Sequence, residues 1–541
     1  RKKVSDILNT FGKFKKILVD PTTDREDADP TLDREKALQN HLRYIWRTRK
    51  LDKDILLRIL PCGSRSGVLY GLPKVHKSGA PIRPIISAIN TYNYKLAKYL
   101  DEILKPLIND NEMMLKDTFD FVNKVSKLDR NQDKYLVSFD VESLFTNIPT
   151  EETIDLIVNL AFNNQPSNKD QLFHGLKSQD LKKLLTICTQ QSHFQFNGEY
   201  FDQIDGVAMG SPLGPLFANV FMTNFERTHA KRLKELGVST WVRYVDDIFA
   251  TLTDSGRINE ILEFLNHQHP NIRFTIEHEK DGRLSFLDTS VYRGVTTFHT
   301  TLYRKPTFTG VYLNWTSLTS KKYKIGLIYC LLDRIWKICT EVESRESEIK
   351  TLRLILAQND YPEHVIEREI NRFVENRSQQ QTNNNLATTE TTETVDKSNS
   401  PKTRFIVLPY ASYKAEGFAK RLKGTVNKYY PDIEFNVAFK TPDEIGKHFP
   451  YKDKIKKNTS RSLVVYKINC GYGSEKSNEN ESEKRVKCEA SYIGKTERIL
   501  HHRIIEHMSD KNSACYKHQL ENPDHHMQFD KVEILDSVYV F

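Results

Sequence analysis

Three aspartates lie at the ends of apolar segments of the sequence. Asp140 ends the apolar run 134–139, and the adjacent Asp246 and Asp247 lie between two short strand-like runs. Two neighbouring carboxylates repel each other, and a charged turn alone is equally well explained by a solvated loop. A third carboxylate favours another interpretation, because carboxylate oxygens are Mg²⁺ ligands and phosphoryl transfer can use two such ions. We therefore expect Asp140, Asp246 and Asp247 to hold two Mg²⁺ ions.

The C-terminal part carries a second pattern of reactive side chains. Two strand-like runs, 462–468 and 491–496, precede a helix-like run at 497–508. Arg503 and His507 are four residues apart in the helix-like run, so they share one helical face. This arrangement predicts a small unit in which strands and a helix bring polar side chains together.

Cysteine usage indicates a metal site rather than a disulfide scaffold. The whole chain has seven cysteines, too few for disulfide bonds to stabilise a fold of 541 residues. Three of them, Cys470, Cys488 and Cys515, lie in its last part. This crowding predicts a metal site in a reducing compartment.

Hydrophobic spacing predicts a mixture of strands and helices around these residues. The run 193–201 places aromatic residues on both sides of Asn197-Gly198, which predicts a type I′ hairpin. The run 321–339 has amphipathic helical spacing, and 341–373 predicts two helices broken at Tyr361-Pro362. The chain should therefore contain both sheet and helical layers.

Composition limits the class of protein. The chain has 80 Lys and Arg against 71 Asp and Glu, a net charge of +9, and 38% apolar residues. This apolar content excludes a wholly disordered chain, and the positive balance suits a polyanionic partner. No apolar run approaches the roughly 20 residues of a membrane span, so we predict no membrane partner. The chain begins at Arg1 without a signal peptide, and we expect it to be a fragment of a longer protein.

Seven short motifs make the larger, N-terminal part of the chain resemble a reverse transcriptase. In order they are GLPKVHK (71–77), PIRPIIS (81–87), SFDVESLFTNIP (138–149), GVAMGSPLGPLFANVFM (206–222), YVDD (244–247), SFLD (285–288) and LYRKPT (302–307). The LPKVHK, FTNIP and YRKPT sequences are similar to those of Penelope-like retroelements, whose polymerase is akin to telomerase reverse transcriptase. The resemblance covers about residues 60–375. It implies an RNA-directed DNA polymerase with a right-hand arrangement of palm, fingers and thumb.

The resemblance also implies site residues. The metals would be bound by Asp140, Asp246 and Asp247. The implied nucleotide-binding residues are Lys74, Arg83, Val141 (through its backbone), Phe145 and Gly210, and the implied nucleic-acid-binding residues are Arg304 and Lys305. Contacts from Arg304 and Lys305 to the primer or template backbone would make the affinity for nucleic acid depend on salt concentration.

Three of these assignments have an alternative. Lys74 and Arg83 would neutralise the incoming triphosphate, Arg83 through bidentate hydrogen bonds, but ordinary surface charge explains the same residues. Phe145 would stack under the sugar and reject a 2′-hydroxyl, and the alternative is a phenylalanine of the core. Gly210 would pack against the templating base pair.

The C-terminal part resembles GIY-YIG nucleases. The implied catalytic residues are Tyr466, Tyr492, Arg503 and His507. Arg503 would stabilise the charge that develops on the phosphate during cleavage, and one of the tyrosines would help to activate water. Nucleases of this family hold their metal with a Glu on a later helix. We expect that residue to lie beyond Phe541, because Glu533 falls on a strand-like run.

Penelope-type nucleases also carry a zinc site, which gives the cysteines a specific interpretation. The implied ligands are Cys470, Cys488, His518 and His525, with His526 as a substitute for His525. Two Cys and two His make a normal structural Zn²⁺ set. The alternative is two free thiols and surface histidines.

We predict an α+β multidomain protein in which a palm, fingers and thumb polymerase is joined to a small α/β GIY-YIG nuclease domain. The predicted parts are an N-terminal helical extension (1–60), the reverse transcriptase fingers and palm (61–315), a thumb-like helical region (316–375), a disordered linker (376–402) and a C-terminally truncated nuclease domain (403–541). The linker is expected because residues 376–402 are almost wholly polar.

The resemblance implies target-primed reverse transcription, in which the nuclease nicks DNA and the polymerase extends the freed end along element RNA. Template RNA, primer and target DNA and dNTPs are the expected partners, and Mg²⁺ and Zn²⁺ the expected cofactors. The reaction implies a nuclear location. Two alternatives remain: a telomerase-like polymerase that extends chromosome ends, and an inactive nucleic-acid-binding remnant.

Overall fold

The chain is described by a computed structural model. It covers residues 2–9, 12–18, 29–49, 51–75, 79–108, 111–131, 133–163, 175–386, 402–441, 459, 461, 463–472 and 488–537. Within these residues, every helix is too short or too polar to cross a membrane.

Strands and helices alternate along the described chain. The strands are β1 (Phe14–Lys16), β2 (Gly67–Pro73), β3 (Ile82–Ser87), β4 (Tyr135–Val141), β5 (Ser192–Phe196), β6 (Glu199–Gln203), β7 (Val238–Tyr244), β8 (Asp247–Leu252), β9 (Phe274–His278), β10 (Arg283–Phe286), β11 (Thr289–Arg293), β12 (Phe298–Leu302), β13 (Lys402–Pro409), β14 (Ile433–Lys440), β15 (Val464–Tyr472), β16 (Ser491–Thr496), β17 (His525–Met527) and β18 (Glu533–Ser537). The α-helices are α1 (Lys2–Leu8), α2 (Thr31–Arg49), α3 (Lys53–Ile59), α4 (Tyr94–Leu104), α5 (Thr118–Val125), α6 (Leu144–Asn147), α7 (Thr150–Asn163), α8 (Ser178–Thr189), α9 (Gly214–Glu235), α10 (Ile258–His267), α11 (Lys321–Ile338), α12 (Val342–Gln358), α13 (Glu363–Leu386), α14 (Lys414–Tyr429), α15 (Leu500–Ser509) and α16 (Ala514–Glu521).

A five-stranded sheet in the order β1-β6-β5-β2-β3 forms the first layer, which we call the fingers sheet. Asn197 and Gly198 have φ of +53° and +79° between β5 and β6, so the hairpin predicted from the Asn-Gly pair is confirmed. Val4 and Leu8 of α1 are buried in the same cluster as Phe194 of β5. The part predicted as an N-terminal helical extension (1–60) contains helices α1, α2 and α3, and it also supplies strand β1 and the buried residues Val4 and Leu8 to this sheet.

A four-stranded antiparallel sheet in the order β7-β8-β4-β9 forms the second layer, the palm sheet. Its two central strands are buried, as at Phe139 of β4 and Phe249 of β8. Ile157 of α7 and Phe217 of α9 belong to the core cluster that Phe139 joins. Since β4 and β8 are paired on both sides, the residues at their ends are attached to a rigid platform.

A three-helix layer of α11, α12 and α13 follows the small sheet β10-β11-β12. The three helices share one apolar core, which includes Ile328, Leu356 and Ile366. The helix break predicted at Tyr361-Pro362 is confirmed, because α12 ends at Gln358 and α13 begins at Glu363.

The predicted linker is partly helical. Helix α13 continues to Leu386, so residues 376–386 were wrongly assigned to a disordered linker. Arg377 extends the helix packing, because its Nη2 donates to Asp333 Oδ1 of α11 at 2.5 Å and its guanidinium lies over the Phe373 ring. Residues 387–401 of the predicted linker lie outside the described residues, and β13 begins at Lys402.

The segment 402–441 is a unit of its own, which we call the βαβ unit. Strands β13 and β14 pair in parallel through the crossover helix α14, and they form a separate sheet from β15–β18. The Phe439 amide of β14 donates to the hydroxyl of Tyr323 on α11 at 2.9 Å, and the Lys321 amide donates to Glu416 Oε1 at 3.1 Å. The region predicted as one nuclease domain (403–541) thus contains two separate sheets, and its first part contacts the first turn of α11.

The last sheet is built around β15, which pairs antiparallel with β16, β17 and β18. Helices α15 and α16 cover it, and Ile468, Leu500 and Ile504 lie in its core. The two strands and following helix predicted over 462–508 are confirmed.

Candidate active sites

The palm sheet brings the three predicted aspartates together. Asp140 of β4 and Asp247 of β8 are direct partners across the sheet. Asp246 lies in the turn before Asp247, and its carbonyl accepts a hydrogen bond from the Val141 amide at 3.1 Å. Val245 in the same turn has φ of +58°, a left-handed conformation that is strained for a β-branched residue. The site residues from two distant sequence motifs are thus held by one pair of strands.

Burial raises the pKa of two of the three aspartates. Burial, followed by the charges of Asp246 and Asp140, raises the pKa of Asp247 to about 6. Burial also raises the pKa of Asp246, and the charges of Arg83, Lys74 and Arg243 oppose this shift. A group of partly buried carboxylates that resist ionising together is a site that a cation stabilises.

The carboxylate set fits Mg²⁺ in its chemistry. Mg²⁺ prefers oxygen ligands and is commonly held by one or two carboxylates together with substrate phosphates. Asp140, Asp246 and Asp247 supply such oxygens at one edge of the palm sheet. Their oxygens are not all within 4.8 Å of one another among the described residues. Repulsion between like charges accounts for this spacing.

Lys74 and Arg83 lie on the hairpin formed by β2 and β3. The Lys74 amide donates to the carbonyl of Pro81 at 2.8 Å, just beyond the paired strands, and Arg83 is exposed on β3. The charges of both act on Asp246, so the hairpin points its cations toward the palm carboxylates. This position agrees with a triphosphate-binding role and leaves that role a prediction.

Phe145 and Gly210 meet at the contact between fingers and palm. The Val207 amide donates to the Phe145 carbonyl at 2.7 Å, and a Cβ at Gly214 would lie 3.2 Å from the Phe145 ring. Gly210 has φ of +124°, and a Cβ there would lie 2.3 Å from the Ile86 carbonyl oxygen of β3. Glycine at 210 is therefore required by backbone packing. Phe145 is half-buried, with its ring against the first turn of α9.

Arg304 and Lys305 are neighbours in sequence with different surroundings. Arg304 Nη2 donates to Glu348 Oε2 of α12 at 2.5 Å, an ion pair that joins the β12 end to the helical layer. Lys305 is exposed, and its charge lowers the pKa of Asp247. The charge of Lys305 therefore acts on the carboxylate site, whereas Arg304 is engaged with a protein carboxylate.

A second cluster joins all four residues predicted for nuclease chemistry. Tyr466 of β15 is fully buried, and its hydroxyl is 2.7 Å from Nε2 of His507 on α15. The Tyr492 ring lies 4.6 Å from the His507 ring, centroid to centroid. Gly494 pairs with Tyr466 across the strands, and a Cβ there would lie 2.7 Å from the Tyr466 hydroxyl. Strand pairing and one helical face therefore bring these side chains together.

Protonation in this cluster follows from burial and from Arg503. Burial raises the pKa of Tyr466 to about 12, although Arg503 opposes the shift. Burial and the charge of Arg503 lower the pKa of His507, so the imidazole is neutral at neutral pH. Hydrogen bonding to Glu506 is the main reason that the Arg503 pKa is raised, and the Nη1–Oε2 distance is 2.7 Å.

The sequence analysis missed two residues that orient this cluster. Ser513 Oγ lies 2.7 Å from His507 Nδ1, which fixes the imidazole from the side opposite Tyr466. Glu506 binds both Arg503 and Arg498. Arg503 and Glu506 are three residues apart in one predicted helix, and this spacing could have predicted their ion pair.

The four predicted zinc ligands converge, and their donor atoms all lie within 4.8 Å of one another. His518 Nε2 is 3.4 Å from Cys470 Sγ, 3.8 Å from Cys488 Sγ and 3.1 Å from His525 Nδ1. Tetrahedral Zn²⁺ with ordinary bond lengths separates such donors by about 3.3–3.8 Å. Burial and the neighbouring Cys488 thiol raise the pKa of Cys470 to about 11, a shift that a bound cation would oppose. The donor set therefore fits Zn²⁺.

Comparison with family models identifies the polymerase part. Residues 75–306 match the model described as reverse transcriptase, an RNA-dependent DNA polymerase. The chain contains a reverse transcriptase domain. The match runs from the fingers hairpin to the Arg304-Lys305 segment, so it includes the whole palm sheet. Polymerases with this domain generally use Mg²⁺, in agreement with the chemistry of the three aspartates.

The helical layer after the reverse transcriptase domain matches a second model. Residues 311–371 match the model described as an animal helix-turn-helix domain. This range contains α11, α12 and the first part of α13, within the region predicted as thumb-like. No curated protein matches the chain.

Solved structures with a related fold are distant. A telomerase from Candida albicans in complex with a fragment of telomeric RNA is 13% identical over 58% of this chain and 57% of that chain, with a TM-score of 0.39. The Sicinivirus 3Dpol RNA-dependent RNA polymerase is 13% identical over 60% of this chain and 70% of that one, with a TM-score of 0.38. The chain thus spans little more than half of the telomerase it matches.

A buried ion pair behind the reverse transcriptase carboxylates escaped the sequence analysis. Arg243 is fully buried, and its Nε donates to Glu226 Oε1 of α9 at 2.7 Å. Its Nη1 donates to the Val245 carbonyl at 3.0 Å, so the same side chain holds the strained turn before Asp246. Nothing in the spacing of residues 226 and 243 signals the pair, because helix and strand meet only in the fold.

Proposed function

We propose that this protein is the RNA-directed DNA polymerase of a Penelope-like retrotransposon, joined to a GIY-YIG nuclease that nicks DNA for target-primed reverse transcription. The observation that carries the proposal is the presence of two different sites in one chain. One is the carboxylate edge of the reverse transcriptase palm. The other is the Tyr466–His507 pair with Tyr492 and Arg503 beside it.

In the polymerase, Asp140, Asp246 and Asp247 would hold two Mg²⁺ ions, which supply positive charge for the attacking 3′-hydroxyl and the leaving pyrophosphate. Lys74 and Arg83 on the fingers hairpin bind the triphosphate, since their charges already act on Asp246. Lys305, whose charge acts on Asp247, binds the primer or template backbone. Phe145 contacts the sugar and excludes a 2′-hydroxyl.

In the nuclease, Tyr466 and His507 form a path for a proton. Tyr466 keeps its proton at neutral pH because its pKa is about 12, and the neutral His507 accepts the hydrogen bond at Nε2. When Tyr466 takes a proton from water, His507 receives the tyrosine proton, and Ser513 orients the ring. Arg503, which stays charged, stabilises the negative charge on the phosphate. Cys470, Cys488, His518 and His525 would hold Zn²⁺, which would fix α16 and β17 to β15.

The test supplies the protein, extended past Phe541 to include the metal-binding Glu that the resemblance implies, with supercoiled plasmid, template RNA and dNTPs in Mg²⁺. We expect nicked plasmid with cDNA joined covalently to the nick. Asp246→Asn should nick without making cDNA, and Arg503→Ala should do neither on plasmid while still extending a supplied primer. The pair of variants is its own control, because each removes one site and leaves the other.

The same assay separates the alternatives. Extension of a supplied primer with no Arg503-dependent nicking supports a telomerase-like polymerase and contradicts the nuclease proposal. Neither extension nor nicking, with RNA binding retained, supports an inactive remnant. A nuclear location follows from the proposed reaction on chromosomal DNA, and fractionation of cells that express the protein tests it.

A further inference from the structure

The βαβ unit carries more positive charge than the chain as a whole and exposes it. Residues 403–440 include seven Lys and Arg against three Asp and Glu. Two of the three acids are engaged inside the unit or at its contact with α11: Glu416 accepts from the Tyr410 hydroxyl and the Lys321 amide, and Glu434 accepts from Thr403. The basic residues Lys420, Arg421 and Lys428 are exposed. The outward charge of the unit is therefore positive.

One side of α14 interleaves basic and aromatic side chains. At 3.6 residues per turn, five basic or aromatic residues fall within about 100° of the helix circumference, with Thr425 between them. The five form what we call the basic-aromatic stripe: Lys414, Phe418, Arg421, Lys428 and Tyr429. The apolar face of the same helix, with Ala419 at its centre, packs on the sheet, so the stripe is not a core face.

The stripe exposes aromatic surface that the fold does not use. Phe418 is 51% exposed and Tyr429 is 68% exposed. Lys428 Nζ lies 5.8 Å from the centre of the Tyr429 ring. Among the described residues, no hydrogen bond or ion pair engages the side chain of Arg421. Exposed rings between cations are the pattern of surfaces that bind single-stranded nucleic acid by stacking bases and neutralising phosphates.

We propose that the basic-aromatic stripe binds single-stranded RNA. A duplex hides the faces of its bases, so exposed rings select a single strand. Phe418 and Tyr429 are 11 residues apart, about 16 Å along the helix, which is the length of several stacked nucleotides. The unit is fixed to α11 through Tyr323, so the stripe stays on the polymerase. The choice of RNA rests on the proposed function, because the polymerase copies an RNA template.

The first experiment measures binding of the full chain to a short, unstructured, fluorescein-labelled RNA by anisotropy. Phe418→Leu/Tyr429→Leu keeps apolar bulk and removes the rings, and we expect at least about fivefold weaker binding. Arg421→Ala/Lys428→Ala should weaken binding and lower the slope of log K against log salt by about 0.7 for each lost phosphate contact. The matched control is Lys420→Ala/Lys423→Ala, which removes the same charge from other sides of α14 and should change affinity less than twofold.

The second experiment locates the strand on the protein. Photo-crosslinking of bromouridine-substituted RNA should label peptides within 414–430, and the labelling should disappear in Phe418→Leu/Tyr429→Leu. Equal loss of affinity in the control pair, or crosslinks confined to other segments, would overturn the proposal. Equal affinity for DNA of the same sequence would overturn the choice of RNA. Stripe-dependent binding to anionic vesicles with no effect on RNA would assign the surface to a membrane instead.

Extension of a short primer already annealed to its template distinguishes this proposal from the proposed function. The stripe variants should extend it at the wild-type rate. Failure of the wild-type protein to extend it would contradict the polymerase proposal and leave the anisotropy result standing. Normal extension with no stripe-dependent RNA binding would support the polymerase proposal and contradict the proposed RNA-binding stripe.

Discussion

Asp247 lies at the point where the palm sheet brings its three carboxylates together. Its partner across the sheet is Asp140 and its neighbour in sequence is Asp246, so three carboxylates share one edge of the sheet. Burial, together with repulsion from these two carboxylates, raises the pKa of Asp247 to about 6. A protein that needed only stability would not place three acids there, and a bound cation removes the penalty.

This pKa predicts a pH-dependent stability for Asp247→Asn in metal-free buffer. A raised pKa means that folding disfavours the charged carboxylate, so its penalty is absent below about pH 4 and fully present above about pH 6. The variant should therefore melt higher than wild type at about pH 8, by about 2–4 °C for each 1 kcal/mol relieved, and equally at about pH 4. Adding Mg²⁺ should shrink the difference, because only wild type gains a full ligand. A difference that does not change with pH would contradict the prediction.

Phe145 provides a second prediction at the residue scale. Its ring lies against Gly214 at the first turn of α9, and its backbone carbonyl is bound by Val207. Phe145→Ala should raise the ratio of ribonucleotide to deoxyribonucleotide incorporation, because removing the ring opens space for a 2′-hydroxyl. Single-nucleotide extension measures the ratio. If extension slows with an unchanged ratio, Phe145 is a core residue and the alternative interpretation is correct.

At the scale of the element, helix α9 positions the YVDD turn through a buried ion pair. Glu226 and Arg243 are 1% and 0% exposed, and Arg243 also binds the carbonyl of the strained Val245. Glu226→Ala leaves a buried charge without its partner, and we expect it to lower the free energy of unfolding by about 3–5 kcal/mol. Denaturant titration measures this loss.

The control for this prediction lies on the same helix. Glu235 pairs with Arg232 at 3.2 Å, and both side chains are about half-exposed. Glu235→Ala should cost no more than about 1 kcal/mol, since an exposed ion pair contributes little. Equal losses in the two variants would show that the buried pair does not hold the turn.

We propose that a bound Zn²⁺ holds the small elements α16 and β17 in position. They are short, and His518 and His525 connect them to Cys470 of β15 and to Cys488. The purified chain should contain about one Zn²⁺, and Cys488→Ser should lower this content and the melting temperature, because structural zinc contributes folding energy. Cys330→Ser, at an exposed cysteine outside the cluster, is the control and should change neither. Well-folded protein free of zinc would contradict the assignment.

At the scale of the whole molecule, the βαβ unit is attached to the thumb-like layer by identifiable contacts. The Tyr323 hydroxyl accepts from the Phe439 amide, and Glu416 accepts from the Lys321 amide at the start of α11. Tyr323→Phe should accelerate hydrogen exchange in β14 and leave the palm sheet unchanged, because an amide that loses its acceptor opens more readily. Mass spectrometry of peptides from 433–440 measures the change.

Tyr329→Phe on the same helix is the matched control for this prediction. Its hydroxyl donates to Glu369 of α13 at 3.2 Å, inside the three-helix layer. It should leave exchange in 433–440 unchanged. If both variants, or neither, accelerate exchange there, the Tyr323 contact does not hold the unit in place.

Sequence alone suggested the candidate site residues of this protein. The three palm aspartates stood out at the ends of apolar runs, and Arg503 and His507 by their spacing of four residues, whereas the tyrosines and the Cys and His set were implied by family resemblance. The hairpin at Asn197-Gly198 and the helix break before Pro362 followed from local backbone preferences. These features are local, so short windows of sequence contain them.

Only the tertiary structure decided how the parts divide and meet. The N-terminal residues join the fingers sheet, 376–386 continue α13, and 402–441 form a sheet apart from β15–β18 and dock on α11. The Glu226–Arg243 pair and the contact of Lys305 with the charge of Asp247 likewise join residues far apart in sequence. Such contacts form only when apolar faces pack and backbone groups pair in the folded chain. Short stretches of sequence therefore do not predict them.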